Sequence, residues 1–413
     1  MGDPVAVGTT ISLLGRPRIA RTAGDVYKFR SRKSWALLAY LILSDRPPTR
    51  SQMVSLLFAD ADDPIRALRW SLAEIRRSLD DDGSVSGDPL VLQLAPDAVA
   101  DVNVVIKSAW VDAVRLPGLG AELLEGMAIR GAAAFETWLL SQQRRVAAAT
   151  EAILHEAALG SMSQGALEAA SGYAVRAAAM SPLDENPYLG AVESDRASYR
   201  LAVDYLDQAV ALARQSGERR REAYALALLG RISLFRGALD AAAEQLDASI
   251  RLAEREHWLT FLPWPQSFRG EVQLARNDLN GAAEVLQQAF ARACHVGDPC
   301  WEGASARALA MLAAMTGDVD RAFVRLADAR VRCNRLSDPY VWLDGYILDA
   351  QCQLGVRHGH PDTAMWVGAL RDLASRTGMR ELALRSLEHR TALGDDGAAA
   401  AATLLAADIE AAA

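Results

Sequence analysis

The segment Ile65–Leu79, IRALRWSLAEIRRSL, carries four arginines and a tryptophan at helical spacing. Ile65, Leu68, Leu72, Ile75 and Leu79 fall three and four residues apart, which predicts one apolar stripe. At about 100° per residue, Arg66, Trp70, Ala73 and Arg77 lie on the opposite face, with Arg69 and Arg76 flanking the stripe. Guanidinium forks on the free side of an anchored helix suit the major groove of duplex DNA, where they bind guanine edges or bridge phosphates. Arg32, Lys33 and Arg50 stand at the starts of two further predicted helices. Unpaired N–H groups there already favour anions, so these three are candidates for phosphate contact. The competing account is plainer: a solvated arginine face on an ordinary amphipathic helix, and surface cations that serve solubility.

Enzyme chemistry finds little footing. His358-Gly359-His360, with Cys352 nearby in sequence, offers too few ligands for a metal site, and a turn between helices explains it better. Cys294-His295 near Cys300 lacks an evident base and orienting group. No Gly-Lys pair occurs, so a P-loop is excluded. No catalytic role, cofactor or metal is expected. The aromatic run Phe261-Leu262-Pro263-Trp264-Pro265, with Trp301, Trp342 and Trp366, either lines a concave ligand or partner surface or packs between helices, as bulky aromatics usually do.

The charge distribution separates a head from a body. Residues 1–79 hold 13 Lys/Arg against 7 Asp/Glu, whereas the rest holds 31 against 45, within a net charge of −8. A basic head on an acidic body fits a nucleic-acid-binding module joined to something else. No apolar run approaches the roughly 18 residues of a membrane span, and the N-terminus has no signal-peptide pattern. A cytoplasmic protein with no membrane contact is expected. The four cysteines show no CxxC pairing and suit a reducing interior.

Around the arginine-rich segment the elements follow in a definite order. Ile11–Leu14, Arg18–Ala20 and Val26–Phe29 read as short strands broken by Gly15, Pro17 and Gly24. Lys33–Leu43, apolar almost all round, predicts a central buried helix. The turn Asp45–Pro48 ends it, Thr49 caps a helix over Arg50–Phe58, and Asp62-Asp63-Pro64 opens the arginine-bearing helix. Val85–Leu94 and then Val99–Val104 supply a hairpin and a closing strand. That order is a winged helix-turn-helix with an N-terminal sheet, so the fold class is mainly α: an α+β winged helix-turn-helix followed by an α-solenoid.

From about Ala109 the pattern predicts helices only, and it repeats. Gly230, Gly270, Ala310 and Ala350 are spaced by 40 residues, with turns at Gly237, Asn277 and Gly317 and a looser match near Gly359. Leu239, Leu279 and Val319 follow, then Ala242, Ala282 and Ala322, then Leu246, Leu286 and Leu326. A small residue on one helix, facing an alanine on the next, lets the two approach closely. Such pairs resemble tetratricopeptide repeats with a longer period, and must stack to bury their apolar faces. Gly397–Ala413 reads as a capping helix or a frayed tail.

The runs SRKSWALLAYLIL (Ser31–Leu43) and ALRWSLAEIRRSL (Ala67–Leu79), with Arg50 and Leu56-Leu57 between them, resemble the DNA-binding domain of the SARP family of antibiotic regulatory activators. LLEGMAIRGAAAFETWLLSQQRRV (Leu123–Val146) and SPLDENPY (Ser181–Tyr188) resemble the bacterial transcriptional activator domain that follows it in that family. The likeness covers roughly residues 10 to 215. It departs from the family at Ile65, where a small residue is usual, in a wing poor in positive charge, and in having no nucleotide-binding domain.

The resemblance implies that Arg66, Arg69, Trp70 and Arg77 occupy recognition-helix positions. It also implies binding to promoter duplex DNA and recruitment of RNA polymerase holoenzyme. The expected division is a DNA-binding head over 1–105, an activator domain over 106–215 and tetratricopeptide-like repeats over 216–413. A homodimer, and an unidentified protein or small-molecule effector on the repeats, stay open. The alternative to a DNA-binding activator is a helical-repeat interaction scaffold whose winged helix binds protein or non-specific DNA.

Overall fold

The computed structural model describes residues 8–21, 26–129, 131–335 and 340–411. Gly24 and the last two residues of the alanine-rich tail lie outside the described residues. Packing divides the chain into two compact units, Met1–Glu156 and Ala157–Ala413.

In the first unit, β1 (Thr9–Ser12), β2 (Arg18–Arg21) and β3 (Val26–Tyr27) precede α1 (Arg32–Leu43), α2 (Arg50–Leu57) and α3 (Pro64–Leu79). β4 (Val85–Ser86) and β5 (Val91–Leu92) form a hairpin, and β6 (Ala98–Ala100) joins β1 in parallel, giving a sheet of order β3-β2-β1-β6. The observed order is three strands, three helices, a hairpin and a strand that returns to the sheet.

Local chemistry sets each boundary. Ser31 caps α1, which buries Ser34–Ala39 and Leu43 as its all-round apolarity requires. Thr49 and Gln52 form a reciprocal capping box at α2. Asp63 caps α3 ahead of Pro64, and Asp80, in the left-handed conformation at φ 57°, ends it. The carbonyls left over at that end are taken by Arg21 of β2, which donates to Ser78 O at 2.8 Å and to Arg77 O.

Three expectations are corrected. Ile65 is 58% exposed, because it sits in the first turn of α3, ahead of the stretch covered by α1 and α2. Leu68, Leu72 and Ile75 alone are fully buried from the predicted stripe. The strand expected over Val99–Val104 ends at Ala100, and α4 (Asp101–Lys107) begins there. The buried Val102 and Val105 stand three apart, a helical spacing that their β-branching hid. Asp101 explains the switch: its carboxylate accepts from Leu13 N and Leu14 N, both at 2.9 Å, and from Val102 N at 2.7 Å. Burial pushes its pKa up while those three N–H groups pull it down.

Nor is the chain helical throughout after Ala109. Beyond the short α5 (Trp110–Ala113) it lies against the sheet, with Leu124 N donating to Leu13 O at 2.8 Å and Gly15 N to Glu122 O at 2.8 Å. The chain just past the end of β1, at Leu13 and Gly15, satisfies this backbone, so no helix is needed.

α6 (Ala133–Ser163), α7 (Leu167–Met180), α8 (Pro182–Asp195) and α9 (Tyr199–Ser216) come next. They lead into α10 (Arg219–Phe235), α11 (Leu239–Arg255), α12 (Pro263–Ala275), α13 (Leu279–Val296), α14 (Pro299–Met315) and α15 (Val319–Cys333). α16 (Val341–His358), α17 (Thr363–Thr377), α18 (Arg380–Ala392) and α19 (Asp396–Ala411) complete the chain. No helix among the described residues is long and apolar enough to cross a membrane. The second unit is a solenoid of helix pairs, as the 40-residue repeat predicts.

The repeat also begins one copy earlier than the sequence reading placed it. Ala202, Ala242, Ala282 and Ala322 are all fully buried, as are Leu206, Leu246, Leu286 and Leu326. The intervening turns place Ala197, Gly237, Asn277 and Gly317 at positive φ. In each turn the next residue's N–H returns to the carbonyl five back, as Ser198 to Glu193, Ala238 to Ser233, Asp278 to Gln273 and Asp318 to Ala313. α8 and α9 thus belong to the same module as the three pairs that follow. A Cβ on Gly230 would meet Leu246 Cγ at 2.5 Å, and one on Gly190 would meet Leu206 Cγ at 2.6 Å.

Alanine ordinarily favours a helix interior over glycine by about 1 kcal/mol. At Gly230 the clash should reverse that sign, and Gly230→Ala is expected to lose about 1–3 kcal/mol. Gly172→Ala in α7, where nothing lies within 4 Å of the added carbon, should be neutral or stabilising. Denaturant midpoints of the full chain check both.

Candidate functional site

The first unit presents five of the nine predicted DNA-contacting residues together. Arg66, Arg69, Trp70, Ala73 and Arg77 are all exposed on α3, Trp70 by 45%, while Leu68, Leu72 and Ile75 anchor the opposite side. The other four are engaged within the protein. Arg76 is half-buried and donates through Nε and Nη2 to Val85 O at 2.9 and 2.6 Å, tying the hairpin to α3. Arg50 grips the hairpin tip, with Nε on Gly87 O at 3.0 Å and its backbone N on Asp88 at 2.9 Å. Lys33 pairs with Asp60. Arg32 remains exposed and reaches Ala128 O at 3.3 Å.

Arg76 and Arg50 therefore fix the β4–β5 hairpin against the helices, a role that residue type and spacing did not reveal. Beside the exposed face, Lys33, Phe58, Asp63, Arg66 and Trp70 border an open depression of about 480 Å³.

The second unit holds a different kind of site. Three charged side chains, each within an apolar stretch of its helix, are buried and paired across the stack. Arg231 of α10, 1% exposed, reaches Asp195 of α8 at 2.8 Å, and Tyr340 donates its hydroxyl to the same carboxylate. Arg307 of α14 meets Glu271 of α12 at 3.0 Å, and Glu271 also accepts from Tyr346 at 2.6 Å. Asp349 of α16 is held by Arg385 and His389 of α18, both at 2.8 Å.

Burial alone would raise these carboxyls. It does raise Asp195, despite Arg231 and Tyr340 beside it. At Asp349 burial also opposes the charge, but Arg385 and His389 prevail and hold it below 3.8. The sequence signal for these residues is a lone charge in an apolar run, as in YALALLGRISLF, which demands a buried partner. Nothing in the sequence identifies the partner, since Arg231 and Tyr340 lie on different repeats.

Between α6, α8, α10, α12 and α14 opens a pocket of about 330 Å³. Leu159, Met162, Tyr224, Trp264, Trp301 and Arg231 form much of its wall. Of the aromatics flagged in the sequence, Trp264 and Trp301 reach this pocket, with ring centroids 4.8 Å apart. Trp342 is buried under Arg231, and Trp366 stacks on His360 at 4.6 Å. His360 is thus occupied by ring packing. Among the described residues, no three His, Cys, Asp or Glu side chains gather as a metal site.

A pH prediction follows from Asp349. Its folded pKa lies below the unfolded value, so the stability it contributes is complete above about pH 4 and is lost as pH falls further. Asp349→Asn should be less stable than the parent at neutral pH, with the gap narrowing below pH 4. Unfolding curves across that range check it.

No protein-family model matches the chain, and no curated protein matches it in sequence. Solved structures do match its fold. One is the Rap conjugation gene regulator of the plasmid pLS20 in complex with the Phr* peptide, with a TM-score of 0.50 and 11% identity over 70% of this chain and 80% of that one. Another is a Rap protein complexed with Competence and Sporulation Factor, with a TM-score of 0.51 and 11% identity over 88% of this chain and 97% of that one. At such identity the likeness is one of fold: this chain is built like these helical-repeat proteins.

Proposed function

We propose that this protein is a regulator whose helical-repeat body receives a protein or peptide partner. The observation that carries this reading is the in-register stack of 40-residue helix pairs, with aromatic and arginine side chains converging from α10, α12 and α14. Stacked repeats form extended surfaces suited to partner binding. Two Rap proteins of similar fold were solved bound to a peptide and to Competence and Sporulation Factor, which favours the same use of the fold here. Panning a random-peptide display library on the full chain should enrich a common motif. A synthetic peptide of that motif should bind saturably. Failure to enrich any motif over several rounds would sink the reading.

A second reading is favoured by a specific observation, the exposed arginine face of α3. We propose that the first unit docks this face in the major groove, with Arg66, Arg69 and Arg77 contacting bases or phosphates and Trp70 and Ala73 lying against the groove. Arg76 and Arg50 then hold the wing in place, while Arg32 and Lys33 lie nearer the backbone. In this reading the acidic body faces RNA polymerase, as the resemblance to SARP-family activators implies. Arg66→Ala and Arg77→Ala should each weaken binding to a selected duplex by about 1–3 kcal/mol if they read bases, or lower the salt dependence if they meet phosphates. Titrations at several salt concentrations distinguish these outcomes. Unchanged affinity and salt slope in both variants would exclude this docking mode.

A further inference from the structure

The exposed face of α3 is not wholly cationic. Ile65, in the first turn, is 58% exposed, more than any other large apolar side chain among the described residues of the first unit. At about 100° per residue, Ile65 and Trp70 mark the two edges of that face, with Arg69, Ala73, Arg66 and Arg77 between them. Trp70 borders the depression beside Phe58 and Lys33, which Ile65 does not reach. Asp63, close to Ile65 in the chain, is turned back to cap the helix and accepts from Arg66 N at 3.0 Å.

These neighbours select what can cover Ile65. Three exposed arginines, Arg66, Arg69 and Arg77, share its face, and a polyanion complements them. An apolar side chain gains nothing from a phosphate, which keeps its water. At the base edges of the major groove, the one apolar group on offer is the C5-methyl of thymine. A recognition helix meets those edges with its N-terminal residues, and Ile65 is the second residue of α3.

We propose that Ile65 is a specificity-determining residue that packs on a thymine methyl in the bound duplex. The proposal rests on the docking of α3 in the major groove set out above as the second reading. It adds that part of the sequence preference is apolar, and therefore insensitive to salt, unlike contacts to phosphate.

A duplex is selected from a random pool with the full chain, and each thymine is then replaced singly by deoxyuridine. Uracil keeps the base pair and every polar group of thymine, and lacks only the methyl. At one or two positions the replacement should weaken parent binding about three- to fivefold, the worth of one buried methyl. Ile65→Ala should weaken binding to the thymine duplex by a similar factor and bind the uracil duplex equally well. Ile65→Val should keep part of the discrimination. Arg66→Ala should weaken both duplexes alike and preserve the thymine-to-uracil ratio, which should also hold as salt is raised. Denaturation midpoints confirm that the variants fold. Selection of no duplex would remove the docking reading and this proposal with it. A selected duplex in which every thymine accepts uracil without loss, or a thymine preference that survives in folded Ile65→Ala, would overturn the proposal alone.

Discussion

The second unit depends on how closely two helices can approach. At Gly190, Gly230 and Gly270 the missing side chain admits a leucine from the following helix to a distance that no Cβ could share. That leucine, and the alanine one turn before it, are fully buried in every copy. Close approach lets a helix carrying few large side chains still bury its face, because contact is made by backbone and by small residues. The positive-φ turn then reverses the chain within a few residues and returns its carbonyls to the next N–H groups. Packing and turn recur with one period because each needs the other.

Much of this was legible in the sequence, for reasons that also explain what was not. Gly230, Ala242 and Leu246 announce the module because small and large residues recur at a fixed interval. The first copy was obscured: its turn residue is Ala197 rather than glycine, held at φ 58°. Its contact residues nonetheless keep the same interval at Gly190, Ala202 and Leu206. In the first unit, capping residues and apolar periodicity located α1, α2 and α3 within a residue or so. Asp101 could not be read that way, since its role as acceptor for Leu13 and Leu14 N–H groups depends on residues nearly ninety positions away.

The candidate sites divide along the same line. Exposure of Arg66, Arg69, Trp70 and Arg77 follows from helical phase, a local property. The engagement of Arg76 with Val85 and of Arg50 with Gly87 is tertiary, so residue type alone made them look like free cations. In the second unit, Trp264 and Trp301 stood out as aromatics, but their convergence with Arg231 on one pocket follows only from stacking three successive pairs.

The buried ion pairs give the solenoid an individuality that its regular period conceals. In a uniform array, any copy can be excised and the neighbours rejoined with the interface intact. Here Arg231 answers Asp195 in the preceding pair, Arg307 answers Glu271, and Arg385 answers Asp349. Splicing out one copy would bring an apolar wall against a stranded charge, and the junction could not close without exposing or neutralising it. The modules share a geometry, yet their order along the chain is written in charge.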